Sequence, residues 1–293
     1  MSDLRRLGER LIGGPARLLL LPGWLALRPA VAVRGLLFDR GLRVRHRLPV
    51  PVVSVGNLTL GGTGKTPVAR LVVDLLAGLG RRPVVLSRGY GGGGHANDEA
   101  RAMGCAVVCD PDRVAGGRRA LRDGADCLVL DDGFQHRRLH RDLDLVCIDA
   151  LRPWGEAGGR RGAVFPLGRL REPPQALARA SALVVTRWSD ADLSQRERLL
   201  ARLRRFHLPL LRCDHQPTIL RAVDGTTAPP AALAGRRVLL ASGIGHPQAF
   251  AATLRTLGAI VTGHRIFPDH HPYTAAEARD LVRQAHATST VLV

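Results

Sequence analysis

In the stretch "TLGGTGKTPVAR", residues 59–70, Gly61, Gly62 and Gly64 lead into Lys65 and Thr66. These are the parts of a phosphate-binding loop. Backbone N–H groups of the glycine-rich turn wrap phosphate oxygens, the lysine reaches the β and γ phosphates, and the following hydroxyl ligates magnesium. Thr59 and Thr63 complete the loop, with Thr59 standing where the general pattern carries glycine. Lys65 is the only lysine of the chain; the other 42 of its 43 basic residues are arginine. A planar guanidinium fork cannot replace a slim ammonium threaded between two phosphates, so the chemistry accounts for the exception. A carboxylate to hold the metal is expected at the end of a neighbouring strand, and "LVLDDG" puts Asp131 and Asp132 there. Two adjacent acids at that position also suit a plain turn.

The segments around these residues read as an α/β fold. "VPVVSVG" is a β-branched run ending at Gly56, and after the loop "PVARLVVDLLAGLG" carries apolar residues at helical spacing. The runs "RPVVLSRG", "CAVVCD", "CLVLDDG", "DLVCIDA" and "ALVVTRW" are further short buried strands. Continuous apolar strands alternating with helices predict a P-loop NTPase-type parallel sheet covered on both faces. Beyond residue 189 the pattern becomes a polar-faced helix, two extended segments and a second strand-turn-helix unit, "RRVLLASGIGHPQAFAATLRTLG". The expected organisation is an N-terminal basic and apolar segment over 1–45, a P-loop domain over 46–195, and a smaller α/β domain over 196–293. The last is expected to be truncated at its end, at "STVLV".

At 293 residues and 45% hydrophobic content the chain can bury a substantial core, which argues against disorder. Its net charge of +18 implies attraction to something anionic, although the almost exclusive use of arginine also reads as compositional bias. Five cysteines without a C-x-x-C spacing suggest reduced thiols and no structural zinc, with Cys127 and Cys147 as buried apolar groups. The leucine-rich N-terminus is interrupted by Pro22, Arg28, Pro29 and Arg34, too often for the roughly 20 apolar residues of a bilayer span. It imitates a signal peptide, but a helix lying in the membrane interface fits better; a docked amphipathic helix is the plain alternative.

Taken in order, "VPVVSVGNLTLGGTGKTP", "SRGYGG", "DDGFQHRRLHRDLDLVCIDA", "PLGRLREP" and "FPDHHPYT" closely resemble the tetraacyldisaccharide 4'-kinase (lipid A 4'-kinase) family. The family's loop also carries a non-glycine at the position of Thr59. The resemblance implies transfer of the ATP γ-phosphoryl group to the 4'-hydroxyl of an acylated glucosamine disaccharide 1-phosphate, forming lipid IVA. It implies Mg2+ as cofactor and a peripheral enzyme, expected to be monomeric, on the cytoplasmic face of the bacterial inner membrane.

Residue by residue, it makes Asp98 the general base, His270 its partner, and Glu99 a metal-associated acid. Asp131, Asp132, Gln135 and Glu172 join Thr66 around the metal, and Arg88 and Arg171 contact substrate. The residues alone leave Asp98 readable as a turn former and both His270 and His271 open as its partner. A P-loop GTPase or metal-insertion ATPase would need a guanine-reading N-K-x-D, which a chain with one lysine, already in its phosphate loop, lacks. A nucleic-acid-binding module would need aromatic platforms, yet aromatics are 4% of the chain and the arginines are scattered.

Overall fold

The computed structural model describes residues 21–88, 103–155, 162–244, 247–268 and 271–293. Six of the apolar runs form strands β1 (Val52–Asn57), β2 (Pro83–Ser87), β3 (Val107–Cys109), β4 (Cys127–Asp131), β5 (Leu143–Asp149) and β6 (Ala182–Thr186). With β7 (Leu210–Cys213) they build a seven-stranded sheet in the order β3-β2-β4-β1-β5-β6-β7, every pair parallel. Among the described residues, the α-helices of this unit are α1 (Leu21–Asp39), α2 (Lys65–Gly78), α3 (Arg113–Arg122) and α4 (Leu193–Leu203).

Alternation along the strands divides the core. Val53 and Val55 of β1 pack with Val68, Ala69 and Val73 of α2, Val129 of β4 and Val184 of β6. On the opposite face Val52, Leu86, Leu128 and Leu130 pack with Val114 and Ala120 of α3. Val146, Ile148, Leu183 and Val185 pack there with Leu199 and Leu203 of α4. Because both faces are covered, the strands read as continuous apolar runs rather than alternating ones. Cys147 is one of these packing groups, and burial pushes its thiol up to about 12, leaving it protonated and inert.

From β1 the chain winds outward through β2 and β3, returns to β4, and continues on the other side through β5, β6 and β7. The carboxyl end of β1 therefore lies where the winding reverses, the usual ligand crevice of an open α/β sheet.

The larger unit runs to Asp214 and the smaller begins at His215, later than the division after residue 195 read from the sequence. The reason is β7. It pairs with β6 from Leu183↔Leu210 to Thr186↔Cys213, and Leu210 packs against the core beside α4. The polar-faced helix and the first extended segment thus complete the large sheet. The smaller unit has a parallel three-stranded sheet of β10 (Arg237–Ser242), β11 (Ile260–Ile266) and β12 (Val291–Leu292), in the order β11-β10-β12. A short antiparallel pair, β8 (Leu220–Arg221) and β9 (Thr227–Ala228), precedes it. Its helices are α5 (Pro247–Thr256) and α6 (Ala275–Ala287), the latter opened by a capping box between Thr274 and Glu277.

The turn after β4 crosses close over β1. Gly133 N–H donates to the Val55 carbonyl at 3.2 Å, and a Cβ on Gly56 would lie 2.6 Å from both the backbone nitrogen and Cβ of Phe134. Gly56→Ala is therefore expected to lower the free energy of unfolding by about 1–3 kcal/mol in urea titration. Replacing a strand glycine normally helps by restricting the unfolded chain, so an unchanged or raised midpoint would show that the crossing is loose.

Candidate active site

The phosphate loop links the buried strand β1 to the first turn of α2. Gly61 (φ 113°) and Gly64 (φ 76°) take the left-handed conformations that favour glycine, and Gly64 caps α2 without a side-chain hydrogen bond. The N–H groups of the first turn are thus left to an incoming anion, with the helix dipole behind them. Asn57, the fully buried last residue of β1, donates from Nδ2 to Thr63 Oγ1 at 2.9 Å and lies 3.4 Å from Thr59 Oγ1. Thr59 and Thr63 are themselves buried. The threonine that departs from the general pattern is an internal tie of the loop, a role glycine cannot fill.

Backbone pairing brings a second motif to the loop. Leu60 N–H donates to Arg169 O, and Arg171 N–H to Leu58 O, both at 2.7 Å. This antiparallel contact places "GRLREP" beside the loop and delivers the Arg171 side chain.

Asp131 closes β4 in register with Val55, and Asp132 follows at φ 56°, a left-handed conformation that aspartate tolerates. The Asp132 carboxylate receives Arg171 Nη1 at 2.7 Å to each oxygen and lies 3.7 Å from Lys65 Nζ. Gln135 Oε1 lies 3.2 Å from the same Arg171 nitrogen, and Gln135 Nε2 donates to the Asn57 carbonyl at 2.9 Å. Lys65, Asp132, Gln135 and Arg171 therefore meet in one network. Thr66 sits exposed on the first turn of α2, and Arg88 follows directly on β2, exposed at its carboxyl end.

Glu172, expected near the metal, pairs with Arg179 at 2.8 Å, whose guanidinium lies over the Phe134 ring. Asp98, Glu99 and His270 lie outside the described residues. His271, the alternative to His270, is in the smaller unit, where its Nε2 lies 3.0 Å from Glu277 Oε1 and its ring stacks on Phe267.

Among the described residues no three carboxylate, histidine or cysteine side chains cluster as a metal cage. Magnesium needs none, since it is typically held by one or two carboxylates, water and substrate phosphates. Thr66, Asp131 and Asp132 offer hard oxygen donors of that kind, with Gln135 adjoining. Asn57, Arg179 and the partly buried His136 were not singled out by the sequence pattern. Burial, with the Arg113 guanidinium near, pushes His136 down to about 4, so its imidazole is neutral at neutral pH. Only the polar ending of an otherwise apolar strand marks Asn57 in the sequence.

The chain has counterparts among known proteins. The model of the tetraacyldisaccharide-1-P 4'-kinase family matches residues 16–293. The chain belongs to this family. Tetraacyldisaccharide 4'-kinase of Anaeromyxobacter dehalogenans (strain 2CP-C) is 43% identical over 100% of this chain and 84% of that protein. The enzyme of the same name from Syntrophus aciditrophicus (strain SB) is 38% identical over 95% of this chain and 82% of that protein. Among solved structures, LpxK from Aquifex aeolicus in complex with ATP aligns with a TM-score of 0.70 at 30% identity, covering 89% of this chain and 84% of that one.

Asn57→Ala would leave the buried Thr63 hydroxyl without its donor and untie the loop. It is expected to cost about 1–3 kcal/mol of unfolding free energy. Urea titration checks this; a wild-type midpoint would mean that the loop holds its form without the tie.

Proposed function

We propose that this chain transfers the γ-phosphoryl group of ATP to the 4'-hydroxyl of an acylated glucosamine disaccharide 1-phosphate, yielding lipid IVA. The observation that carries the reading is the convergence of Lys65, Asp132, Gln135 and Arg171 beside the phosphate loop in a member of this kinase family. Lys65 reaches the β and γ phosphates, while the loop N–H groups hold their oxygens. Thr66, Asp131 and Asp132 would hold Mg2+, with Gln135, Glu99 and Glu172 in its surroundings. When bound, the ion neutralises charge that builds on the transferring group. Arg171 holds Asp132 in place and, with Arg88, faces the anionic substrate.

Asp98 takes the proton from the 4'-hydroxyl as the phosphoryl group arrives, and His270 orients Asp98. The occupation of His271 by Glu277 and Phe267 supports His270 in that role.

The acceptor is acylated, so the reaction belongs at a membrane surface, for which we propose the cytoplasmic face of the inner membrane, where ATP is available. No described helix is long and apolar enough to cross a membrane. Helix α1 nonetheless exposes Leu21, Leu25, Leu27, Val33 and Leu36. Its carboxyl end is docked: Phe38 is buried, Arg34 donates to Gln135 O at 2.9 Å, and Arg137 donates to Gly35 O at 3.0 Å while pairing with Asp39. An exposed apolar face anchored through the "DDGFQHRR" segment suits an interfacial helix, and the excess of arginine favours anionic lipid. The chain is taken to act as a monomer, without nucleic acid.

Transfer of radiolabel from γ-labelled ATP to tetraacyldisaccharide 1-phosphate tests the reaction directly. No lipid product, with strong RNA or DNA binding instead, would overturn it. Lys65→Arg is expected to lower turnover on the order of 10²-fold although charge is kept, and a wild-type rate would refute the geometric role of the ammonium. Asp98→Ala should reduce kcat by about 10²–10⁴-fold with little change in ATP binding; an equal fall in both would make Asp98 a metal or structural residue. Deletion of residues 1–30 should weaken co-sedimentation with anionic liposomes, whereas unchanged binding would remove the interfacial role of this segment.

A further inference from the structure

The carboxyl end of β6 lies two strands from β1, yet two successive side chains there reach the phosphate loop. Thr186, fully buried, donates from Oγ1 to the Thr63 carbonyl at 2.8 Å. Arg187, the next residue, donates from Nη2 to the Gly62 carbonyl at 3.0 Å. The same guanidinium nitrogen pairs with Asp149, the buried last residue of β5 and the lateral neighbour of Thr186 in the sheet. Asp149 is oriented in turn, since its Oδ1 accepts from Leu151 N–H at 3.0 Å.

Arg187 achieves this in a left-handed conformation (φ 54°), which is unfavourable for a side-chain-bearing residue. Such a conformation persists where surrounding contacts over-determine it.

We infer that Thr186 and Arg187, with Asp149 behind them, are positioning residues that latch the phosphate loop in its phosphate-binding form. The planarity of the peptide bond supplies the mechanism. In a trans peptide the C=O of one residue points opposite to the N–H of the next. Holding the Gly62 and Thr63 carbonyls toward β6 therefore aims the Thr63 and Gly64 N–H groups the other way, into the hollow of the loop. A loop containing three glycines within four residues would otherwise pay for this order each time phosphates bind. The latch acts on the loop through its backbone carbonyls. This inference rests on the reading of the loop as an ATP site.

The test uses the full chain and compares Thr186→Val, Arg187→Lys and Arg187→Ala with wild type. ATP affinity is read by calorimetry, KM for ATP and for the lipid acceptor by steady-state kinetics, and melting temperature without nucleotide. Thr186→Val keeps shape and removes only the donor. It is expected to raise Kd and KM for ATP about five- to tenfold, the worth of one hydrogen bond, with lipid KM close to wild type and a melting temperature lowered only by the loss of the donor to the buried Thr63 carbonyl. Arg187→Ala should raise KM for ATP more, and Arg187→Lys, which keeps a cation for Asp149, should recover part of the loss. A parallel loss for both substrates with a lowered melting temperature would make the pair merely structural and overturn the latch. Wild-type ATP affinity in Thr186→Val and Arg187→Lys would overturn it as well. Failure of wild type itself to bind ATP in the same titration would instead bring down the ATP reading.

Discussion

The site is organised around one buried amide. Asn57 ends β1, and its side chain ties the loop through Thr63 while its carbonyl receives Gln135 from the turn after β4. Two segments far apart in sequence are thereby hung on one residue of the central strand. The crossing of Gly133 and Phe134 over Gly56 allows this, since a Cβ at Gly56 would push the acidic turn away from the loop it must face. The buried Nδ2 of Asn57 finds its acceptor in the loop, so the loop and its anchor constrain each other.

Around that anchor, negative charges of the larger unit are paired with arginine. Asp132 is held by Arg171, Glu172 by Arg179, Asp149 by Arg187, Asp144 by Arg141 and Asp39 by Arg137. Partly buried pairs of this sort contribute little net stability after desolvation, but they restrict where each carboxylate can go. For Asp132 the restriction has a direct consequence, because it keeps one carboxylate within reach of the only lysine. The excess of arginine is therefore put to two uses. Some side chains are internal struts, and the rest leave the chain with a net charge of +18.

Helix α1 is docked on this core at its carboxyl end. Its docked end contacts the segment that carries Asp132 and Gln135, through Arg34 and Arg137, and its leucines remain outward. In the proposed reaction, exposed apolar side chains so close to the acidic turn suit an acceptor whose acyl chains stay in lipid while its sugar is phosphorylated.

The sequence by itself was enough for the strands of the large sheet, for the loop between β1 and α2, and for Asp131 and Asp132 as acids at a strand end. Those features are local: apolar runs, glycine spacing and a charge after a buried segment are set by neighbours in the chain. It was not enough for β7, whose four residues belong to the large sheet only because the edge of β6 is there to pair with them. Nor did it distinguish Arg187 from 41 other arginines, foresee Glu172 on Arg179, or show Thr59 as a buried tie. Which cation meets which carboxylate depends on strand order and register, which bring residues 62, 149 and 187 to one end of one sheet. The tertiary structure decided those partners, because hydrogen bonds and ion pairs act over a few ångströms of space and carry no record of separation along the chain.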